Sequence, residues 1–463
     1  MIEQGKSTGH DGQRRGWLSL PITTLKLWAA LNGISFNGVE VEPLPNKGLA
    51  VVAKQELPDD SDTPLMIIPQ DMVLSVEGVQ RFAKADKYLR EVLDATGEYG
   101  RTARGAILIF LLMQVTYLCP DMKEKIGVSN SWTEYLKFLQ TVPLPTFMSD
   151  EERTLVVGTS LEAALNAKLK SLSREFDHLR SSTETIPWCQ RCWWDAETGL
   201  LTLEDWKHVD AMYRSRALQL PGTGDAMVPC LDMTNHSSGD QTVAAYETDV
   251  DGNGLLLLRD GKHLDPGDEI TITYGDEKGA CEMVFSYGFI EESMKSAGTL
   301  FLPLDIPDDD PLRKAKQTVS TAAPGVRLTL LGGRIQWESP YVWLICVNEE
   351  DGLEFKIEQT TDGSRELRVS WKDEDFRDTS DLEKWLRLEP LWDVFQLRAV
   401  CTLQERVQAQ LRRLYESERD VQELGDLIGG FGDSATWDTL MRLRELEAEL
   451  LEQAYREFEE EVT

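Results

Sequence analysis

Three stretches within residues 228–292 decide the fold: VPCLDMTNHSS at 228–238, GDEITITYGD at 267–276 and CEMVFSYGFIEE at 281–292. Before the second stretch, two apolar runs (Val243–Thr248 and Leu255–Arg259) flank Asp251-Gly252-Asn253-Gly254, which is typical of a β-hairpin turn. Glu269–Tyr274 alternates apolar and polar side chains, as a half-buried strand does. The following helix, from Gly279, is predicted to end at Gly288, because glycine readily adopts the left-handed conformation that closes helices.

The chain before this region alternates between strand and helix patterns. Phe36–Leu57 has a strand-like pattern with a turn at Pro45-Asn46-Lys47-Gly48. Residues 102–118 are apolar on nearly all faces, which predicts a buried helix. Apolar spacing predicts three further helices, near 130–140, 150–180 and 203–219.

The chain after Pro303 has a different pattern. Residues 326–371 alternate like short strands around several glycines, and 380–460 predict three helices. The last helix carries leucines at helical spacing and is rich in glutamate, with Glu447 and Glu459 expected at exposed positions. No internal repeat of the solenoid type is visible.

Composition and charge bound the possible functions. The 463 residues favour two or three domains, and 41% hydrophobic with 28% charged residues is normal for a globular enzyme. The formal net charge of −32 repels phosphate backbones, so direct nucleic-acid binding is not expected. The same field attracts basic proteins, although it also serves solubility alone. No apolar run is long enough to span a membrane, and no secretory signal is visible, so an intracellular compartment is expected.

The seven cysteines are spread along the chain, which indicates free thiols in a reducing compartment. Cys189 and Cys192 form the only close pair. A single C-x-x-C lacks the second pair of ligands that tetrahedral zinc requires, and the nearest following histidine is His208. We therefore expect no metal site.

The three stretches, in this order, resemble the C-terminal half of a SET domain of the Rubisco large-subunit methyltransferase and fungal ribosomal-protein lysine methyltransferase group. PNKGLAVVA at 45–53 resembles the opening SET motif. SWTEYLKFLQTVPLPTFMSDEE at 131–152 resembles the group's segment around W-x-x-Y-L and a pair of prolines. The resemblance extends well over 30–295 and in outline over 300–463, where the group has its substrate-binding domain.

The resemblance implies a protein methyltransferase that uses S-adenosylmethionine and methylates a lysine side chain of another protein. It implies the following cofactor-binding residues: Lys47, Leu49, Arg216, Asp232, Asn235, His236, Tyr274 and Tyr287. Tyr274 is the candidate for the catalytic hydroxyl, and Tyr287 is expected to line the lysine channel and is the second catalytic candidate. One departure is Ala50, where the group usually has a glycine, since a methyl group there could crowd the cofactor.

The residue types suit this chemistry independently of the resemblance. A lysine must lose its proton before it can accept a methyl group, and an apolar channel beside a sulfonium lowers its pKa. A tyrosine ring can guide the lysine while its hydroxyl donates or accepts a hydrogen bond. Singly, each residue also has a structural interpretation. Asp232, Asn235 and His236 could form a local turn, and Tyr274 and Tyr287 could be core aromatics.

The expected fold is α+β, with a SET core of small sheets, a threaded C-terminal segment, a helical insert and a mostly helical C-terminal domain. The expected organisation is a flexible tail at 1–20, the SET domain at 21–295 with the insert at about 100–220, and a substrate-binding-like domain at 300–463. In the expected threading, the chain near Tyr274–Tyr287 lies beside Asp232–Ser238, because both must meet one cofactor.

The expected partner is a basic protein, first a ribosomal protein and alternatively a histone or another nuclear protein. We expect a cytoplasmic or nuclear monomer that binds neither nucleic acid nor membrane. A histidine methyltransferase of the same fold and a non-catalytic SET-like scaffold are the alternatives. A Rossmann-type methyltransferase is disfavoured because no strand, glycine-rich turn and helix open the chain.

Overall fold

The computed structural model describes residues 19–463 except 46, 59–62, 123, 141, 360–364, 373, 377 and 429–433. Most of the predicted tail (1–18) and Asn46 of the predicted turn therefore lie outside the described residues. Two compact units are present. The first contains residues 1–147 and 167–276, and the second contains 148–166 and 277–463. The predicted domain boundaries stay a prediction.

The strands are short and run along most of the chain. They are β1 (Ser35–Phe36), β2 (Val39–Leu44), β3 (Gly48–Ala53), β4 (Met66–Ile68), β5 (Leu218–Leu220), β6 (Gly224–Ala226), β7 (Asn235–His236), β8 (Ala244–Thr248), β9 (Gly254–Leu258), β10 (Glu269–Ile272), β11 (Thr299–Pro303), β12 (Gly325–Leu331), β13 (Arg334–Glu338), β14 (Leu353–Gln359), β15 (Arg365–Trp371) and β16 (Glu374–Phe376).

The α-helices are longest towards the end of the chain. They are α1 (Leu25–Leu31), α2 (Val76–Ala85), α3 (Lys87–Ala95), α4 (Ala103–Leu118), α5 (Ser131–Tyr135), α6 (Ser160–Thr183), α7 (Pro187–Cys189), α8 (Leu203–Arg216), α9 (Ala280–Tyr287), α10 (Arg313–Val319), α11 (Pro340–Cys346), α12 (Leu382–Leu386), α13 (Trp392–Glu416), α14 (Glu418–Ile428) and α15 (Ser434–Val462).

The described strands of the first unit form two four-stranded sheets and one hairpin. The sheet orders are β1-β4-β9-β8 and β2-β3-β10-β7, and β5 pairs with β6. In the second sheet β10 is antiparallel to β3 and parallel to β7. The parallel pairing puts Thr271 opposite Asn235 and Ile272 opposite His236. It brings together two of the three sequence stretches that decide the fold.

The core of the first unit is organised around α4. The Thr102 hydroxyl caps this helix by accepting a hydrogen bond from the Gly105 N–H. Residues 105–116 are all buried, so the helix has no solvent-facing side over this length. The predicted buried helix at 102–118 is confirmed, because a helix that is apolar all round must be enclosed by protein.

Two other local predictions are confirmed. The hairpin forms between β8 and β9, with Thr248 paired to Gly254. Helix α9 ends at Gly288, whose φ of 82° is left-handed and costs glycine little.

Three local predictions differ from the structure. The helix expected at 150–180 is a 3-10 turn (Glu152–Val156) followed by α6, because Gly158 with φ 82° interrupts the helical path. The strand region at 326–371 also contains α11, and four helices rather than three are described within 380–460. Glu447, expected on the surface, is fully buried.

The second unit contains two described three-stranded sheets, β11-β12-β13 and β14-β15-β16. Its longest helices, α13 and α15, pack against each other through leucines and other apolar residues. Near the middle of α15, Glu447 accepts hydrogen bonds from the N–H of Ser160 at 2.7 Å and from its hydroxyl at 2.5 Å. Among the described residues of both units, no helix is long and apolar enough to cross a membrane.

Candidate functional site

The loop from Cys230 to His236, hereafter the 230–236 loop, carries three of the predicted site residues. It begins at Cys230, which is fully buried and has φ 69° and ψ −38°. Positive φ is uncommon for a residue with a side chain and costs free energy unless its surroundings hold it. A 3-10 turn, Leu231–Met233, follows and leads into β7.

Asp232 is the buried anchor of this loop. Its carboxylate accepts a hydrogen bond from the Tyr135 hydroxyl and lies 3.8 Å from the Arg216 guanidinium. The same guanidinium donates a hydrogen bond to the Asp232 main-chain carbonyl at 3.2 Å. Burial raises the pKa of Asp232 to about 6, although Arg216 and the Tyr135 hydrogen bond act in the opposite direction.

Tyr274 and His236 form a paired unit at the end of the parallel strands. Their rings stack with centroids 5.1 Å apart, and His236 Nδ1 accepts a hydrogen bond from the Tyr274 N–H at 3.0 Å. The Tyr274 hydroxyl donates to the Thr234 carbonyl at 2.9 Å. The predicted proximity of Tyr274 to His236 is therefore present, and Tyr274 lies two residues after the end of β10.

Asn235 and Lys47 meet through a third side chain, Glu269. The Asn235 amide donates to Glu269 Oε1 at 2.8 Å, and the Lys47 ammonium lies 2.6 Å from Glu269 Oε2. Lys47 is mostly exposed whereas Glu269 is largely buried. The cation therefore balances the charge of a carboxylate that also orients the Asn235 amide.

Leu49 and Tyr287 lie apart from these contacts. Leu49 is a half-buried residue of β3, opposite Pro43, and packs against the core of the first unit. Tyr287 is the last residue of α9, in the second unit, with its ring 6.4 Å from that of Phe289 and near the Lys278 ammonium. The roles predicted for both residues stay predictions.

The network around the loop therefore consists of three sets of contacts in the first unit. Tyr135 and Arg216 bind Asp232, Glu269 links Asn235 to Lys47, and Tyr274 contacts His236. Two members of the network were not among the predicted site residues: Tyr135 and Glu269. Tyr135 lies in the W-x-x-Y-L motif and Glu269 lies in GDEITITYGD, so both belong to stretches that resemble the family. The sequence does not reveal which distant residue each of them contacts.

The residues around the loop offer groups that suit a nucleoside and an amino acid. Strand β7 lies at the edge of its sheet among the described residues. Within the described part of the chain, the buried Thr234 hydroxyl and Asp232 Oδ2 lack hydrogen-bond partners. Because buried polar groups normally find partners, this hydroxyl and this carboxylate oxygen fit a polar ligand bound at the loop.

Metal ligation has no support in the described ranges, where no cluster of three or more His, Cys, Asp or Glu side chains could hold an ion. Cys189 and Cys192 are buried beside the aromatic cluster of Trp188, Trp193 and Trp194. Burial raises the pKa of both thiols, which favours their protonated form.

Known proteins are similar to this chain in sequence and in fold. A relative from Schizosaccharomyces pombe, SET domain-containing protein 8, is 27% identical over 77% of this chain and 79% of its own length. The SET domain of LSMT bound to lysine and AdoHcy superimposes with a TM-score of 0.64, at 17% identity, over 95% of this chain and 91% of that chain. The chain has the SET-domain fold.

Other relatives of this chain are named as methyltransferases. The [fructose-bisphosphate aldolase]-lysine N-methyltransferase of Arabidopsis thaliana is 25% identical over 69% of this chain and 73% of its own length. The actin-histidine N-methyltransferase of Gallus gallus is 23% identical over 80% of this chain and 61% of its own length. No protein-family model matches the chain.

These comparisons confirm the predicted resemblance and the predicted α+β SET fold. They also confirm the predicted class of enzyme, a protein methyltransferase. Solved structures of LSMT with the same fold are bound to AdoHcy or AdoMet.

Proposed function

We propose that this protein transfers a methyl group from S-adenosylmethionine to the side-chain amine of a lysine in a basic protein. The observation that carries the proposal is the parallel pair β7 and β10, across which His236 contacts Tyr274 and Asn235 bonds Glu269. The lysine methyltransferases among its relatives support the choice of acceptor.

The bound cofactor supplies an electrophilic methyl group on a positively charged sulfur. The chain must then hold the methyl group and an uncharged amine in line, because positioning and electrostatics provide most of the rate of such a displacement. Asn235 and the edge of β7 are the groups proposed to bind the cofactor. Glu269 and Lys47 fix the Asn235 amide in one orientation through the hydrogen bond and ion pair described above.

Tyr274 is proposed to orient the acceptor amine. Its hydroxyl proton is directed to the Thr234 carbonyl, so the oxygen acts as an acceptor towards an amine N–H. Stacking on His236 and the hydrogen bond to His236 Nδ1 fix the position of the ring and its backbone. A fixed acceptor beside a reacting amine favours the geometry in which the nitrogen lone pair points at the methyl carbon.

The substrate is proposed to be a ribosomal protein, with a histone or another nuclear protein as the alternative, encountered in the cytoplasm or nucleus. The net charge of −32 supports a basic partner, because opposite charge raises the association rate. The chain is proposed to act as a monomer and without direct contact to nucleic acid or membrane.

A histidine acceptor is the second candidate, favoured by the two relatives named actin-histidine N-methyltransferase. One experiment separates the candidates. The full chain is incubated with labelled S-adenosylmethionine and a ribosomal protein mixture, and then with a histone mixture, and the modified residue is identified by mass spectrometry. Label on lysine supports the proposal, and label on histidine alone replaces it with the second candidate. A folded chain that labels neither residue in any protein contradicts both.

A further inference from the structure

The Tyr135 hydroxyl makes two hydrogen bonds, both to the first residues of the 230–236 loop. It accepts a hydrogen bond from the Cys230 N–H at 2.9 Å and donates one to the Asp232 carboxylate. The ring of Tyr135 is fully buried, stacked on Trp28 at 5.0 Å and edge-on to Trp132 at 5.3 Å. One rigidly held hydroxyl therefore bonds both the backbone and a side chain of the loop.

The two groups that the Tyr135 hydroxyl binds, the Cys230 backbone and the Asp232 carboxylate, are both energetically unfavourable without a partner. Cys230 has φ 69°, a conformation that a residue with a side chain adopts only when its surroundings impose it. Asp232 is a fully buried carboxylate whose remaining oxygen has no hydrogen-bond partner in the described part of the chain. Burying such groups without partners is costly, so the Tyr135 hydroxyl opposes two unfavourable states at once.

We propose that Tyr135 is a positioning residue that fixes the 230–236 loop, and with it Asn235 and His236, in the conformation that binds the cofactor. The inference rests on the proposed function. Tyr135 acts through the loop and is not placed in contact with cofactor or substrate.

Besides the contacts of Asn235 and His236, the loop is attached to the rest of the first unit at three points before its end. Tyr135 holds its beginning, Arg216 holds the Asp232 carbonyl at 3.2 Å, and Tyr274 holds the Thr234 carbonyl at 2.9 Å. Removing the Tyr135 hydroxyl frees Cys230 to leave its positive φ. The other two attachments lie further along the loop, and the Cys230 carbonyl keeps only the local bond that it accepts from the Met233 N–H at 3.2 Å among the described backbone bonds. The expected result is a loop that samples several conformations, of which only one presents Asn235 to the cofactor.

The test uses the full chain with Tyr135→Phe, which keeps the buried ring and removes only the hydroxyl. We expect the affinity for S-adenosylhomocysteine, measured by calorimetry, to fall about tenfold, as for loss of a buried hydrogen bond to a charged group. The catalytic constant at saturating S-adenosylmethionine should change less, because the bound cofactor selects the active loop conformation. Tyr88→Phe is the matched control. Its ring packs on Trp188 in the same unit, and it should bind like the parent chain.

A second variant separates positioning from a general loss of stability. Cys230→Gly permits the positive φ without a side chain, so it should reduce the penalty of Tyr135→Phe at least threefold when the two changes are combined. A Tyr135→Phe penalty of the same size in both backgrounds overturns the proposal. So does unchanged affinity in Tyr135→Phe. The combined variant also provides the comparison if Tyr135→Phe alone does not fold.

The pH dependence of binding gives an independent measurement. The groups facing the Asp232 carboxyl are the Tyr135 hydroxyl of α5, the Arg216 guanidinium of α8 and the Cys230 thiol and backbone. Because the Tyr135 hydrogen bond lowers the pKa of Asp232, its removal should shift the pH at which affinity changes upward. An unshifted profile contradicts a direct link between the two residues. If the parent chain binds no S-adenosylhomocysteine at all, the proposed function fails instead, before any variant is compared.

Discussion

Replacing Tyr274 by phenylalanine separates the structural role of its hydroxyl from its proposed catalytic role. The ring stack on His236 and the hydrogen bond from the Tyr274 N–H both remain, because neither involves the hydroxyl. The change removes the hydrogen bond from the hydroxyl to the Thr234 carbonyl at 2.9 Å. Loss of one such partly buried bond lowers the free energy of unfolding by about 1 kcal/mol.

The effect on turnover should be larger than this structural effect. If the hydroxyl orients the amine, its loss removes an interaction with a group that becomes charged during methyl transfer, which corresponds to about 2 kcal/mol. A loss of that size lowers the catalytic constant about thirtyfold. The affinity for the cofactor should stay within about a factor of two, because Asn235 and His236 remain in place.

The assay is single-turnover methylation of the identified substrate, with affinity measured by calorimetry and stability by urea unfolding. Tyr246→Phe is the control, since Tyr246 is a half-buried tyrosine of β8 in the same unit. Equal turnover for Tyr274→Phe and the parent chain would refute the catalytic role, and Tyr287 would become the candidate. Turnover that falls only in proportion to the folded fraction would refute it as well.

Three further predictions concern affinity, pH and salt. Asn235→Ala should weaken cofactor affinity about tenfold, because it removes an amide that Glu269 holds in place for the cofactor. Calorimetry showing parental affinity in the folded variant would exclude this role for Asn235. Burial raises the pKa of Glu447 from the ordinary 4.5 to about 7, so the folded state binds the proton more tightly than the unfolded state does. The stability from this proton is fully present below pH 4.5 and is lost as pH rises through 7, by at most about 3 kcal/mol. Urea unfolding at pH 5 and pH 8 should show this decrease in the parent chain, and Glu447→Gln should reduce it; equal pH dependence in both proteins would contradict the assignment. Methylation of a basic substrate should slow as salt rises, because screening slows the association of the two proteins. Reversing an exposed charge with Glu459→Lys should slow methylation further. A rate that responds to neither change would show that recognition depends on shape or apolar contacts.

Features that depend on local sequence could be predicted. The all-apolar helix α4, the β8–β9 hairpin and the end of α9 at Gly288 follow from side-chain periodicity and from the backbone freedom of glycine. The order of the motifs also indicated the SET fold, and the predicted residues Asp232, Asn235 and His236 lie on one loop. The helix predicted at 150–180 is too long, because Gly158 adopts a left-handed conformation before α6 begins.

Contacts between distant residues could not be predicted. Tyr135 and Asp232 are 97 positions apart, and Lys47 and Glu269 are 222 apart. Glu447 is the same residue type as its exposed neighbours Glu445 and Glu449 on α15, yet its carboxyl group is buried against Ser160. The sequence by itself determined the short elements, the acidic charge and the motif residues, because propensity, periodicity and charge act over a few residues. Only the tertiary structure decided which hydroxyl holds Asp232, which carboxylate orients Asn235 and which glutamate is buried, because burial and hydrogen bonding depend on the segments that the fold brings together.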